Sequence, residues 1–304
     1  MRLQANKEKR DRARGALVGL AVGDAVGTTN EFKVRGHFEE IVDMVGGGPF
    51  KLKAGEWTDD TSMALCLAES LILKQGFDPQ DVMQRWIDWS DNGKFSVKGY
   101  CFDIGTTTAD SLHHFKMTGE IKENNGEFTQ ANGSIMRLAP AAIAAKTLED
   151  ASRLGRMQSK LTHAHQTCLT ASSQLGRCLY KAINGEDFPT NELRDYGLGD
   201  DPDWHYWLAE TNEADIESSG YVVDTLRAAL WGFFSTDSFE EGALKVANLG
   251  DDSDTVGAVF GQIAGAHYGM SGIPTKWLDK LVDCQMMIEM ADQLLDLELV
   301  ADIC

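Results

Sequence analysis

The sequence lacks paired cysteines. Its six, Cys66, Cys101, Cys168, Cys178, Cys284 and Cys304, are scattered without a Cys-x-x-Cys and sit mostly in apolar helical contexts, which points to buried reduced thiols rather than a disulfide framework or a thiolate metal site. Basic residues are scarce as well: 28 Lys and Arg stand against 47 Asp and Glu, a formal charge of −19. Such a chain repels nucleic acid and anionic membranes, so neither is an expected partner. Proline is rare, at six residues, and no Pro- or Ser-rich linker divides the chain. Alternating strand patterns are missing too, which leaves a compact all-α bundle in one domain over residues 1–304. The first residues, Met1 to Arg14, are charged and carry no apolar signal segment, so the expected setting is the cytoplasm. The longest uncharged run, Val256 to Pro274, contains Gln262, His267 and five glycines before its closing proline. It reads as a buried helix of a water-soluble fold, not as a membrane span.

What is present is an echo. Trp57-Thr58-Asp59-Asp60-Thr61 and Gly250-Asp251-Asp252-Ser253-Asp254-Thr255 each place neighbouring carboxylates and hydroxyls just before an apolar helical run. Either cluster alone reads equally well as helix capping, with Thr58 and Asp252 as caps and the remaining acids favoured by the helix dipole. Two such clusters tip the balance. If the helix mouths face each other, Asp59, Asp60, Asp252 and Asp254 bring four negative charges together, which two divalent cations would neutralise. The ligand set, with Thr58 and Thr255, is all oxygen, and that favours Mg²⁺ or Mn²⁺ over zinc.

Glycines recur at spacing four in both helical runs: Gly15, Gly19, Gly23 and Gly27 in the first, Gly257, Gly261, Gly265 and Gly269 in the second. Each glycine costs a helix about 1 kcal/mol relative to alanine, so two combs mark faces where another backbone approaches closely. Asp24 stands within the first comb, and after it comes Glu31, a lone carboxylate in a polar loop that reads equally as a surface acid and as a functional group. Residues 33–55 are irregular, as loops over a site often are. Helical spacing and Pro79 mark a helix over 78–92 closed by Gly93. Asp103 precedes a further helix, either as its cap or as a substrate-facing acid. Asn132-Gly133-Ser134 opens another towards Pro140, a mouth suited to an anion such as phosphate, with Arg137 as either a phosphate contact or a structural ion pair. Residues 149–184 read as one long helix or two and contain Thr162-His163-Ala164-His165. On a helix those two rings point roughly 200° apart, so one faces a pocket and the other elsewhere. Residues 191–219 form an acidic excursion with Trp204, Tyr206 and Trp207, either a lid or inert, and Cys284 to Val300 reads as an amphipathic acidic helix on the outside.

These motifs, in order, are GALVGLAVGDAVGTTNEF (15–32), GEWTDDTSMAL (55–65), FDIGTTT (102–108), NGSIMRLAP (132–140), THAH (162–165), GYVVDTLRAALW (220–231) and GDDSDTVGAVFGQIAGAHYG (250–269). Together they resemble the ADP-ribosylglycohydrolase family, which includes the dinitrogenase reductase-activating glycohydrolases and the ADP-ribosyl-acceptor hydrolases, over nearly the whole chain. The resemblance implies a compact all-α fold with a pair of Mg²⁺ or Mn²⁺ ions. It places the ligands at Thr58, Asp59, Asp60, Asp252, Asp254 and Thr255, puts Glu31 beside the metals and turns Asp103 towards the substrate ribose. It also lines the diphosphate with Asn132, Gly133 and Ser134 and sets His163 and Tyr221 near the ADP-ribose. One departure stands out: Asp251 occupies a position where many relatives have glycine, and it either disturbs the ions or points to solvent.

The activity this resemblance implies is hydrolysis of the glycosidic bond between ADP-ribose and a protein side chain, with arginine foremost, releasing ADP-ribose and the unmodified protein. Glu31 and Asp103 are the candidates for handling the proton. An O-linked acceptor such as serine or the polymer, and a non-catalytic ADP-ribose-binding module, stay open as alternatives.

Overall fold

A computed structural model of the chain describes residues 2–186 and 204–298. Helix α1 (Arg2–Gly27) ends in a 3-10 turn and an irregular segment over 31–58. Then come α2 (Asp59–Lys74), α3 (Pro79–Asn92), α4 (Thr106–Thr118), α5 (Ala139–Ala144), α6 (Leu148–Lys160) and α7 (Gln166–Ile183). After residue 203 follow α8 (Trp204–Ala209), α9 (Val222–Phe234), α10 (Phe239–Ala247), α11 (Ser253–Tyr268), α12 (Thr275–Leu278) and α13 (Cys284–Asp296). Two isolated antiparallel bridges, Gly47 with Leu52 and Ala131 with Tyr221, are the only β pairing among the described residues. The fold is all-α, as the missing strand patterns imply.

The two glycine combs meet. A β-carbon built on Gly15 would lie 2.1 Å from the Gly265 carbonyl oxygen, on Gly19 2.4 Å from that of Gly261, on Gly23 1.9 Å from that of Gly257, and on Gly27 2.2 Å from that of Ser253. As one set of numbers rises the other falls, so α1 and α11 run antiparallel with their backbones in contact. Only glycine permits this approach, and its intrinsic helix cost is offset by the burial of both faces. Ala16, Leu17, Leu20, Val22 and Val26 on α1 are fully buried, as are Val256, Val259, Phe260 and Ile263 on α11. The antiparallel register has a second consequence: it brings the end of α1 to the beginning of α11.

Other elements form for local reasons that the sequence displays. Asp78 caps α3 by accepting from the backbone N–H of Gln80 and Asp81, Pro79 opens the first turn, and Gly93 closes the helix at φ 73°, in the left-handed region that suits glycine. Thr147 and Asp150 form a reciprocal capping box at α6. The stretch 149–184 resolves into two helices, α6 and α7, and Thr162-His163-Ala164-His165 lies in the break between them rather than on a helix. Likewise Asn132-Gly133-Ser134 is a single 3-10 turn, separate from α5. The anticipated α-helix mouth at that point does not form: the 3-10 turn runs into a further turn over 135–137, and the α-helix begins only at Ala139.

The tail helix, expected over Cys284 to Val300, ends at Asp296, and the last of that range lies outside the described residues. Met287, Ala291 and Leu294 of α13 face the core, while Asp292 receives Arg14 through two hydrogen bonds and Asp296 pairs with Arg10 at 2.7 Å. Pairs as exposed as these contribute well under about 1 kcal/mol each, so the apolar face does most of the docking. The acidic excursion expected over 191–219 lies partly outside the described residues.

Candidate active site

Four segments converge at the end of the molecule where α1 meets α11. The 3-10 turn after α1 delivers Glu31; the first turn of α2 delivers Asp59 and Asp60 behind Thr58; the extended stretch before α4 delivers Asp103; and the first turn of α11 delivers Asp254 and Thr255 behind Asp252. They close around a cavity of about 420 Å³ whose lining includes Glu31, Asp59, Asp103, Asp252, Asp254 and Thr255 on the acidic side, with Asn132, Gly133 and His163 opposite. Thr58 and Asp60 form the floor beneath, at 1% exposure each. Ser134 is fully buried behind the wall, where its carbonyl oxygen accepts from Gln158 and Ser172. Tyr221 is 41% exposed and meets the site only through the backbone bridge to Ala131.

Both helix mouths put the expected residues at the cap position, but neither Thr58 nor Asp252 caps its own helix with its side chain. Plain capping therefore does not explain the clusters. At α2 the orphan backbone donors are satisfied from another helix: Asp24 accepts from Thr58 N at 2.9 Å and from Thr61 N at 3.2 Å. Its carboxylate also takes the hydroxyl protons of Thr58 at 2.9 Å and Thr61 at 2.6 Å. At α11 the Asp252 carboxylate accepts from Asn132 Nδ2 at 2.5 Å, and Ser253 Oγ donates to the Gly27 carbonyl at 2.8 Å.

The electrostatics are severe. Burial, followed by the charge of Asp103, pushes the Asp59 carboxyl well above the usual range; burial, followed by the charge of Asp24, does the same to Asp60; burial and Glu31 do it to Asp254. Glu31 is pushed up to about 9 by burial and then by Asp103, and Asp24 to about 7 by burial against the pull of its four donors. Arg137 offsets this charge only through space, since Asp59 and Asp60 act on it without an ion pair. It is fully buried behind the site, stacks 4.0 Å above Trp86, and gives its hydrogen bonds to Gln158 and Thr162. It is neither a phosphate contact nor one half of an ion pair.

A cation fits what remains. Asp60 Oδ1 and Asp254 Oδ1 are buried with no hydrogen-bond partner, a costly state for a carboxylate unless something else satisfies it. Thr58 Oγ1 lies 3.2 Å from Asp60 Oδ2, 3.2 Å from Asp254 Oδ2 and, closest, 2.9 Å from Asp24 Oδ1. Carboxylate oxygens of Glu31, Asp103 and Asp254 also lie within 4.8 Å of one another. Convergent carboxylate and hydroxyl oxygens are the donor set a hard divalent ion takes.

His163 turns into the cavity while His165 caps α7 through the Thr167 N–H. Burial, with Arg137 behind it, holds the His163 imidazole down to about 3, so it is neutral at physiological pH and offers a hydrogen bond rather than a charge. Its Cε1 would lie 2.7 Å from a β-carbon on Gly133, so only glycine lets the ring and the 132–134 backbone share the wall. Asp251 is exposed at φ 55° and is held by backbone bonds to Phe32 and Lys33. It lines a separate shallow groove with Arg35 and Glu217, not the acidic cavity.

Sequence reasoning assigns no role to Asp24, Phe32 or Phe128. A signal for Asp24 exists, since it is the only charged residue between Arg14 and Glu31 in an otherwise apolar run. Phe32 and Phe128 both line the cavity and are 64% and 97% exposed, and no periodicity singles out a ring on a loop.

An all-α bundle with an acidic, oxygen-rich cavity at the end of two glycine-packed helices defines the class, and comparison with known proteins gives the family. The ADP-ribosylglycohydrolase family model matches residues 5–302, and the chain belongs to that family. It is 43% identical over 300 residues to ADP-ribosylarginine hydrolase Tri1 of Serratia proteamaculans (strain 568), covering 94% of this chain and 80% of that protein. It is 35% identical over 279 residues to the ADP-ribosyl-[dinitrogen reductase] glycohydrolase of Rhodospirillum rubrum, covering 89% and 90%. A solved structure, described as an ADP-ribosylglycohydrolase-related protein complex, superposes with a TM-score of 0.80 at 39% identity over 96% of this chain and 99% of that one. Among the described residues no helix is long and apolar enough to cross a membrane.

Proposed function

We propose that this chain hydrolyses the N-glycosidic bond between ADP-ribose and an arginine side chain of a protein, releasing ADP-ribose and the unmodified arginine. The observation that carries the reading is the convergence of carboxylates from four segments, two of them with unpartnered buried oxygens, in one cavity. Such a volume suits a nucleotide-sized ligand. The arginine acceptor is supported by the relatives, one named for ADP-ribosylarginine and one for ADP-ribosyl-[dinitrogen reductase].

Thr58, Asp59, Asp60, Asp252, Asp254 and Thr255 would hold two Mg²⁺ or Mn²⁺ ions. When bound, the ions supply positive charge for ribose hydroxyls and for a water of lowered pKa. The chain's own residues do the rest. Asn132 and Gly133 would line the diphosphate, with Ser134 supporting that turn from behind and neutral His163 beside them. Phe32 and Phe128 flank the opening, and Tyr221 stands near it through its backbone bridge to Ala131. Hydrolysis forms a bond from the water oxygen to the anomeric carbon and breaks the bond from that carbon to the guanidine nitrogen. Glu31 and Asp103, which both face the cavity, are the groups that take the water's proton and return one to the departing nitrogen. Residues 1–304 act as one unit in this reading, in the cytoplasm; the free state of the described cysteines supports that setting.

The test is release of ADP-ribose from a protein modified on arginine, compared with one modified on serine, in Mn²⁺ or Mg²⁺ and after chelation. Metal-dependent release from arginine is the expected result. Release from serine alone would overturn the acceptor, and binding of ADP-ribose without release from either would overturn the enzyme.

A further inference from the structure

Asp24 lies on α1, one turn before its end, and is fully buried. Nothing in the reaction requires it to touch substrate. Yet it holds the α2 mouth by four groups at once: the backbone N–H of Thr58 and of Thr61, and the hydroxyl of each. It thus acts as the cap of α2 from a different helix, which is why Thr58, although it stands at the cap position, does not spend its side chain on capping.

Proton counting makes this more than a structural cap. Thr58 Oγ has one proton and three carboxylate neighbours: Asp24 Oδ1 at 2.9 Å, Asp60 Oδ2 at 3.2 Å and Asp254 Oδ2 at 3.2 Å. The shortest contact takes the proton. Both lone pairs of Thr58 then face the two carboxylates whose other oxygens, Asp60 Oδ1 and Asp254 Oδ1, are buried without partners. If Asp24 did not draw the proton away, Thr58 would donate it to Asp60 or Asp254 and fill the place of a cation with a hydrogen bond. We propose that Asp24 is a positioning residue that orients the Thr58 hydroxyl, turning it from a donor to the acidic cluster into an oxygen ligand for a divalent cation.

This inference rests on the paired-cation reading above, and it is tested by metal binding rather than turnover. Full-length protein stripped with chelator is titrated with Mn²⁺ by calorimetry, with the metal-free thermal midpoint as a check on folding. Asp24→Asn keeps the shape but presents an NH₂ group to donors, so its Mn²⁺ affinity should fall about tenfold or more, as for other partners behind metal ligands. Thr58→Val should weaken binding similarly. Because Asp24 acts through Thr58, the double variant should be no weaker than the worse single one, within about twofold. Losses that multiply, or an Asp24→Asn protein that binds as wild type does, would overturn the proposal. If Asp24→Asn does not fold, Asp24→Ser, which leaves an oxygen acceptor and room for water, is read in the same cycle against the same two outcomes. Wild-type protein that takes up no Mn²⁺ would instead overturn the paired-cation reading, and this inference with it.

Discussion

The two acidic helix mouths look alike in sequence and are wired differently. At α2 the wiring is internal: Asp24 reaches across from α1 and satisfies both backbone and hydroxyl donors in a place that excludes solvent. At α11 it reaches outward. There Asp252 depends on Asn132, its N–H donates to the Ser218 carbonyl at 3.0 Å, and Asn132 also donates to Thr225 at 3.0 Å. One mouth is set by the core and the other by loops over it. The difference assigns roles: the α2 mouth is a rigid floor, and the α11 mouth can feel what occupies the cavity.

The strongest test of the rigid floor is Asp60→Asn. It removes a buried charge with one unpartnered oxygen, so the metal-free protein should gain about 1–3 kcal/mol, which is a rise of several degrees in thermal midpoint for a chain this size. ADP-ribose release should fall about a hundredfold or more, since residues behind metal ligands already cost about 10–100-fold. Scanning calorimetry after chelation, paired with the release assay, separates the two effects. A lower metal-free midpoint would mean that the carboxylate is satisfied within the protein, and the contrast between the mouths would fail.

Both mouths rest on the same helix pair. Gly23→Ala would drive a β-carbon to within 1.9 Å of the Gly257 carbonyl oxygen, and moving two backbones apart should cost about 3 kcal/mol. Gly126, with nothing within 4 Å of where a β-carbon would stand, is the control: Gly126→Ala should stay within about 0.5 kcal/mol of wild type. Denaturant unfolding of the two variants gives the comparison directly. Equal stabilities would show that α1 and α11 have slack at their contact.

How much of this is legible follows from where each signal resides. The glycine spacing is a property of one helix face, so both combs can be read from sequence, and their meeting follows from a shared requirement for a bare backbone. The acidic clusters are legible as chemistry, because four carboxylates beside hydroxyls are costly anywhere else. Where a helix stops is less so. Thr162 to His165 carry no glycine or proline to mark a break, and Asn132-Gly133 signals a turn without saying whether a helix follows it; tertiary contacts decide both, with the Ala164 N–H taken by the Asn124 carbonyl and the Asn132 N–H by that of Gly220. The role of Arg137 escapes a local reading because nothing near it in sequence shows that its guanidinium stacks on Trp86, 51 residues earlier in the chain. Asp24 escapes for the same reason, since its partners lie 34 and 37 residues away.

Asn132→Ala tests the outward wiring. It removes the 2.5 Å donor to Asp252 but leaves a carboxylate that is only partly buried, so water can replace it. A hydrogen bond to a charged group contributes about 1.5–3 kcal/mol, and turnover should fall about tenfold with little change in the metal-free midpoint. If the midpoint drops as far as in Gly23→Ala, the α11 mouth belongs to the rigid core after all.

The smallest effect lies in the segment that joins the first comb to the α2 mouth. Asp43 pins this loop by accepting from Trp277 Nε1 at 2.5 Å and Lys280 Nζ at 2.9 Å, with Lys276 at 3.3 Å. Lys280 first, and then Trp277, hold its carboxyl well below the usual range. A carboxyl depressed in the folded state adds stability that is fully present above its unfolded value of about 3.9 and is lost as pH falls through the lower folded value. The side chain is a third exposed, so screening keeps the contribution below about 1 kcal/mol. Asp43→Asn should therefore be slightly less stable than wild type at pH 7, and the gap should close below about pH 4. Because loop 33–58 carries the chain from Glu31 to Thr58 without itself supplying a ligand before Thr58, ADP-ribose release at pH 7 should change less than twofold. A larger loss of activity at unchanged stability would show that the position of this loop, and not the core beneath it, sets the α2 mouth.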